Sequence, residues 1–312
     1  YSDDKGQTWG GEKTIHTVDS FNLADVAATI MGSNRIGLLV TARDSSNAYR
    51  NDFVYSDNNG TDWTVSESVV ASPNGFLVYG TMLPYPASAG GHATTGFIVY
   101  GYEANDCHYA KTVDNGASWT VAEIFVDAAL SEPSIVRVGT EDKWVAFIRK
   151  NSANLRIATS TNMTTWTTPE DTGLDLGSNP VQAIVDGGSV YVYMFIRDID
   201  ASIAEQNDVL LIEDDISAVY TASDLTNTNL RQVLTGVERA LGYVSILKVG
   251  QDFLWGYTAG EHDGSSSLGG SSFIVFGSTR RKASVSIGAV RQLMTNKNLI
   301  RNPTFDFWSR GT

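Results

Sequence analysis

Short apolar runs separated by polar, glycine-containing turns recur from residue 24 to residue 276, and no stretch before the C-terminal tail keeps a helical period. Such runs predict β-strands, and the turns between them predict hairpins. Three strands are expected at 24–30, 36–41 and 52–55, the first two joined by the polar turn Gly32-Ser33-Asn34. The same order returns at 76–82, 96–102 and 108–112, and again at 134–138, 143–148 and 155–159. It returns twice more, at 181–185, 190–196 and 209–212, then at 243–249, 252–257 and 272–276. Asp186-Gly187-Gly188 and Gly250-Gln251 supply the residues that tight hairpin connections need. One further strand is expected near 12–18. Five units thus have their inner strands, while an additional one contributes only a turn and a strand. Either that strand completes the last unit and closes a ring, or the opening strands of a sixth unit lie upstream.

A Trp-ended turn punctuates these units. Its copies are Ser2-Asp3-Asp4-Lys5-Gly6-Gln7-Thr8-Trp9, Ser56-Asp57-Asn58-Asn59-Gly60-Thr61-Asp62-Trp63 and Thr112-Val113-Asp114-Asn115-Gly116-Ala117-Ser118-Trp119. A fourth, Ser160-Thr161-Asn162-Met163-Thr164-Thr165-Trp166, keeps the spacing and loses the glycine. The four tryptophans follow one another at intervals of about 50 residues, the period of a four-stranded propeller blade. Asp or Asn can accept bonds from backbone N–H groups two residues on, Gly supplies a positive φ, and the indole can fold back over the turn. The pattern resembles the Asp-box of the sialidase-like propellers. That resemblance implies an all-β, sialidase-like β-propeller over residues 1–280, with five complete blades plus a partial one, six-bladed if the N-terminus is truncated. In such propellers the boxes lie on the outer rim, so their residues are expected to be structural.

Composition narrows the functional classes. The 312 residues carry 22 Lys+Arg against 35 Asp+Glu, a formal charge of −13. This balance argues against sequence-independent nucleic-acid binding, which needs clustered cations. No apolar run approaches the roughly 20 residues that span a bilayer, so membrane insertion is not expected. The single cysteine, Cys107, excludes a disulfide framework and a Cys-rich zinc site. The four histidines (His16, His92, His108 and His262) show no metal-ligand spacing, and no cofactor is expected. The acidic turns Glu213-Asp214-Asp215 and Glu261-His262-Asp263 are the alternative places for a calcium ion.

Beyond residue 280 the register changes, with Arg280-Arg281-Lys282 followed by an apolar stretch at 283–290. Residues 298–312 read Asn-Leu-x-x-Asn-x-x-Phe-x-x-Trp-x-Arg-Gly-Thr. This resembles the opening of modules at the distal ends of phage tail fibres and tailspikes; the alternative is a polar linker with two buried aromatics. The resemblance implies that 281–312 is a short linker and the start of a tail-fibre-type module. It also implies a virion or extracellular location, other virion tail proteins and a host-surface glycan as partners, and a homotrimer.

In a propeller, ligands meet the chain where the innermost strands converge, so the candidate residues open a first strand or close a second. Ser131-Glu132-Pro133-Ser134 opens one first strand and Phe147-Ile148-Arg149 closes its partner. Gly242-Tyr243-Val244-Ser245 opens another and Trp255-Gly256-Tyr257 closes its partner, with Glu261 just beyond. Both units are similar to the sialidase family. The resemblance implies Tyr243 as nucleophile, Glu132 as its base partner, and Arg149, Arg197 and Glu261 as substrate-binding residues. An arginine fork suits the carboxylate of a sialic acid, and a neutral tyrosine approaches that acid without the repulsion a carboxylate would meet. Sialidases are accordingly an exception to the paired-carboxylate rule.

The family's Arg-Ile-Pro segment is absent from this sequence, as is the acid/base Asp that follows it. The isolated chain is therefore expected not to hydrolyse sialosides at an enzymatic rate. The reading for function is a phage receptor-binding protein whose propeller recognises host-surface glycan. The alternatives are a sialidase whose N-terminal catalytic part is missing and a structural propeller without ligand. Structural roles compete for the same residues. Glu132 could be a solvated strand entry, Tyr243 could pack the axis, and Arg43, Arg149 and Arg197 could pair with acids such as Asp44 and Asp198.

Overall fold

In the computed structural model, the described residues are 8, 10–11, 13–18, 21–46, 48–70, 75–85, 95–103, 106–125, 129–138, 143–150, 154–175, 181–186, 189–197, 207–215, 229–235, 240–249, 252–262 and 268–280. Over these residues the apolar runs become five antiparallel sheets, met one after another along the chain. The first is β1 (Phe21–Ile30), β2 (Ile36–Asp44), β3 (Tyr49–Ser56) and β4 (Thr64–Val70). The second is β5 (Leu77–Pro84), β6 (Phe97–Glu103), β7 (Asp106–Thr112) and β8 (Thr120–Phe125). The third is β9 (Leu130–Val138), β10 (Lys143–Lys150), β11 (Asn154–Ser160) and β12 (Glu170–Asp175). The fourth is β13 (Val181–Asp186), β14 (Ser189–Arg197), β15 (Asn207–Asp215) and β16 (Asn229–Thr235). The fifth shows three described strands, β17 (Ala240–Val249), β18 (Asp252–His262) and β19 (Leu268–Arg280). Among the described residues the one helical element is a single 3-10 turn at Gly32–Asn34, where a polar turn was expected.

Each sheet pairs its strands in simple sequence order, so each is a meander whose first strand lies at one edge. First strands of successive sheets pack together, β1 on β5, β5 on β9, β9 on β13 and β13 on β17. The sheets are therefore blades that stand side by side with their opening strands innermost. This stacking explains why the strands read as continuous apolar runs rather than alternating ones: a blade is covered on both faces. The core consists of slabs between neighbouring blades. Leu39 and Phe53 of blade 1 meet Phe76, Met82 and Phe97 of blade 2. Tyr100 and Phe125 of blade 2 meet Leu130, Trp144 and Ile148 of blade 3. Phe147 and Leu155 of blade 3 meet Val181 and Val192 of blade 4. Phe53, Phe76, Phe97, Tyr100 and Phe147 are fully buried, each worth roughly 1.5–3 kcal/mol of transfer free energy.

Polar side chains stitch the slabs where an innermost strand presents unpaired backbone groups. Thr41 of β2 donates its hydroxyl to the Phe76 carbonyl at 3.0 Å and accepts the Val78 amide at 3.0 Å. The Asn51 amide of β3 donates to the same Phe76 carbonyl at 2.8 Å. Both side chains are fully buried and satisfied, as buried polar groups must be. Ser134 of β9 does the same for blade 4, accepting the Ala183 amide at 2.8 Å.

The Trp-ended turns join the third and fourth strands of their blades. In the second copy, Ser56 Oγ accepts the Gly60 amide at 2.8 Å and Asn58 Oδ1 accepts the Asp62 amide at 2.8 Å. The Trp63 indole N–H donates to the Gly60 carbonyl at 3.0 Å. Thr112, Asp114 and Trp119 repeat these three bonds in the next copy. The glycine-free copy keeps the architecture. Met163 adopts φ +64° in the glycine's place, and its carbonyl accepts both the Trp166 indole and the Tyr100 hydroxyl. Its side chain is buried between blades 2 and 3, which offsets the cost of a left-handed non-glycine. The first copy lies outside the described residues apart from Thr8.

The strand expected near 12–18 is not seen: residues 13–18 form no ladder and lie against blade 1 through side chains. His16 Nε2 is 2.9 Å from the buried Asp52 carboxylate, and the Lys13 ammonium donates to the Thr61 carbonyl. Asp52 also accepts from Arg50 at 3.2 Å and from the Ser68 amide at 2.7 Å.

Candidate functional site

The innermost hairpins of four blades share an irregularity near the start of the first strand. In blade 1, Leu23 faces Ala42 while Val26 faces Val40, so β1 carries one extra residue around Ala24-Asp25. In blade 3, Ser131 faces Arg149 while Ser134 faces Phe147, so β9 bulges at Glu132-Pro133. In blade 5, Gly242 faces Thr258 while Val244 faces Tyr257, which places Tyr243 on a bulge of β17. In blade 2, β5 gains residues between Tyr79 and Leu83. A bulge bends its strand and re-aims a side chain, a device common beside binding sites.

Glu132 is the most constrained member. Its φ of +50° lies in the left-handed region, which costs a non-glycine residue about 1 kcal/mol or more. Its carboxylate is fully buried and accepts Arg149 Nη1 at 2.6 Å, so it is not the solvated strand entry that the sequence also allowed. Arg149 closes β10 opposite Ser131, and its side chain is 17% exposed. Removing one partner of such a pair strands the other charge at a cost of about 3–5 kcal/mol.

Asp25 is the residue that sequence reasoning missed. It opens the first strand of blade 1, the position already searched in blades 3 and 5, so the same rule applied to blade 1 would have found it. Asp25 is exposed, and its carboxyl is lifted from 3.8 to about 6. Loss of hydration is the larger cause and the negative charge of Glu132 the second. Glu132 lies on β9 of blade 3, two blades along from Asp25 on β1. Tyr79 braces this region. It lies on β5, and its hydroxyl donates to the Val181 carbonyl of β13 at 2.7 Å, linking blade 2 to blade 4.

The other sequence candidates are placed by strand register. Tyr243 opens β17 as Glu132 opens β9. Arg197 ends β14 opposite Asn207, the same end of a second strand that Arg149 occupies. Glu261 lies near the end of β18 opposite Gly269, beyond a register shift. The pairing of Arg43 with Asp44 is not seen. Asp44 accepts the Ser46 hydroxyl and the Ser46 and Ala48 amides in its own turn, and Arg43 lies over the Tyr49 ring. The histidine-flanked turn at 263 and the segment 298–312 lie outside the described residues. A cavity of about 440 Å³ lined by Trp144, Thr159 and Trp166 sits against the glycine-free turn. Lys143, at the end of β10 remote from Arg149, also lines it, so it belongs to the rim and not to this mouth.

The blades and their Trp-ended turns define a sialidase-like β-propeller. Among solved structures, the chain is similar to Trypanosoma rangeli sialidase in complex with sialic acid. The TM-score is 0.59 at 17% identity, over 95% of this chain and 50% of that one. It is also similar to an α-L-arabinofuranosidase from Clostridium thermocellum, with TM-score 0.51 and 12% identity over 75% of this chain and 81% of that one. A further glycoside hydrolase matches with TM-score 0.52 and 13% identity, over 87% of this chain and 92% of that one. The chain thus spans about half the length of the trypanosomal sialidase. No family model matches the sequence, and no curated protein matches it.

Proposed function

We propose that this chain is the glycan-recognising propeller of a phage receptor-binding protein, a tail fibre or tailspike of the virion. The observation that carries the binding role is the Glu132–Arg149 pair, in which a fully buried carboxylate on a bulged innermost strand holds a part-exposed arginine. An arginine so held is oriented before a ligand arrives, which lowers the ordering cost of binding. The virion setting rests on residues 298–312 and their resemblance to tail-fibre modules. Host glycan and neighbouring tail proteins are the partners, and the assembly is a trimer.

A glycan array probed with the full-length protein tests this reading. A defined subset of glycans is retained, and Arg149→Lys weakens binding about ten- to hundredfold, the worth of a lost charge-assisted fork. Arg149→Lys keeps the charge beside Glu132, so circular dichroism stays native even if Arg149→Ala misfolds. Retention of no glycan, or binding indifferent to Arg149→Lys, overturns the proposal and leaves a structural propeller. The matching bulges at Glu132 and Tyr243 favour one second reading, a sialidase. Sustained turnover of a fluorogenic sialoside that Tyr243→Phe abolishes would establish that reading in place of the adhesin.

A further inference from the structure

We propose that the cavity on the rim of blade 3 is a second ligand site, which takes a neutral pyranose unit of a glycan and does so independently of the mouth. It lies between the start of β10, the end of β11 and the Trp-ended turn that follows. Its volume is about 440 Å³, and its lining includes Lys143, Trp144, Thr159, Thr161, Trp166 and Thr167. That size and a mixture of aromatic surface with a few polar groups are the marks of a small-molecule site. Lys143 and Arg149 stand at opposite ends of β10, about 20 Å apart at the rise of an extended strand. One sugar unit cannot reach both.

Comparison with blade 1 shows why the cavity opens here. Trp144 faces Ser160 in blade 3 as Ile36 faces Ser56 in blade 1. Lys143, Thr159 and Thr161 therefore take the places of Arg35, Tyr55 and Asp57. In blade 1 these three residues close over one another. The Arg35 guanidinium lies 3.9 Å above the Tyr55 ring and forks onto the Asp57 carboxylate at 2.7 and 2.9 Å. Blade 3 exchanges both the ring and the acid for threonines, and the cavity stands where that ring and acid would be.

The walls are fixed before a ligand arrives, which lowers the ordering cost of binding. The Trp166 indole N–H donates to the Met163 carbonyl at 3.1 Å, and Tyr100 and Phe125 pack edge-on against its ring, centroids 6.0 and 5.8 Å away. The Thr167 amide donates to the Thr159 carbonyl at 2.9 Å, and the Thr167 hydroxyl oxygen accepts the Thr159 amide at 2.9 Å. The lining offers indole surface, threonine hydroxyls that donate and accept, and an ammonium that donates. A pyranose matches each of these, with ring C–H groups for the indole and hydroxyls for the polar groups. A wholly apolar ligand would take the hydroxyls and the ammonium out of water without pairing them. An acidic sugar would meet one lining cation against the field of a chain carrying a formal charge of −13, so the uncharged sugar is favoured.

Titration of the full-length protein by saturation-transfer NMR tests the proposal, with lactose, maltose and methyl α-mannoside as neutral probes and N-acetylneuraminic acid as the acidic one. At least one neutral sugar receives saturation. The double variant Thr159→Tyr/Thr161→Asp, which rebuilds the ring and acid of blade 1, weakens that binding about tenfold or more, the worth of lost hydrogen bonds and of the filled space. Circular dichroism of this variant stays native. Should it misfold, Thr161→Asp alone, at an exposed position, draws Lys143 across the cavity and weakens binding about fivefold. Any binding of N-acetylneuraminic acid belongs to the mouth and is unchanged by both variants. Saturation of none of the neutral sugars, neutral-sugar binding that both variants leave unchanged, or loss of N-acetylneuraminic acid binding in them overturns the rim site. Neutral-sugar binding that responds only to Arg149→Lys assigns the sugar to the mouth, so the rim site fails while the glycan-binding reading stands.

Discussion

Asp114 illustrates how much a single side chain does in a Trp-ended turn. Its carboxylate accepts the Ser118 hydroxyl at 2.5 Å, the Ser118 amide at 2.9 Å and the Thr112 hydroxyl at 2.7 Å. These bonds, the Ser118 hydroxyl first, draw its carboxyl down from 3.8 to about 2. A carboxyl depressed on folding contributes stability above its unfolded value and loses it as pH falls toward its folded one. Asp114→Ala is therefore expected to lower the unfolding midpoint at pH 7, with the gap to the parent closing between about pH 4 and pH 2. Urea unfolding across that range measures it. Asp25 has the opposite sign: its folded value is raised, so it takes stability away as pH rises from about 4 to about 6, and the penalty stays constant above that. Neighbouring sequence explains Asp114, whose partners lie two and four residues away, but not Asp25, which sits within the apolar strand β1.

At the scale of the element, the turns repeat a hydrogen-bond plan while differing in what surrounds them. Gly60 and Gly116 have φ of +80° and +90° and occupy the same place in their turns. A methyl group on Gly60 would meet only the Trp63 ring at 3.6 Å, whereas on Gly116 it would meet the Phe53 ring of blade 1 at 2.3 Å. Gly60→Ala is expected to cost about 1 kcal/mol from backbone strain alone. Gly116→Ala adds overpacking of about 1–3 kcal/mol. Chemical denaturation of the two variants checks the order, and equal costs would show that blade packing around Phe53 yields freely. Strand positions were legible because apolar runs and turn residues are local signals: the run expected at 143–148 lies within Lys143–Lys150. The bulges were not legible, because a bulge is defined by the register of a partner strand and not by its own residues. The segment near 12–18 misled for a related reason, since a strand needs a partner and residues 13–18 meet blade 1 through His16 and Lys13 instead.

At the scale of the whole molecule, the blades are held together by apolar slabs and by a few bonds that cross between them. Tyr79 is the longest reach of these at the mouth, joining β5 to β13 past the intervening blade 3. Tyr79→Phe keeps the ring and removes the hydroxyl, leaving the Val181 carbonyl without that donor. It is expected to cost about 1–2 kcal/mol of stability and to weaken glycan binding severalfold by loosening the mouth. Thermal unfolding and the same glycan array measure the two effects. A stability loss with unchanged binding would confine Tyr79 to holding blades 2 and 4 together.

The sequence by itself determined the strands, the turns and their period, because hairpins and Trp-ended turns are built from bonds between residues at most a few positions apart. It also pointed to Glu132 and Arg149, seventeen residues apart within one blade, where a single hairpin brings them to 2.6 Å. Only the tertiary structure decided that Tyr79 ties blade 2 to blade 4, its hydroxyl meeting a carbonyl more than a hundred residues away in sequence. Which blades oppose each other across the axis follows from how the apolar faces of whole sheets stack, and that stacking is a sum over many side chains that no local pattern records.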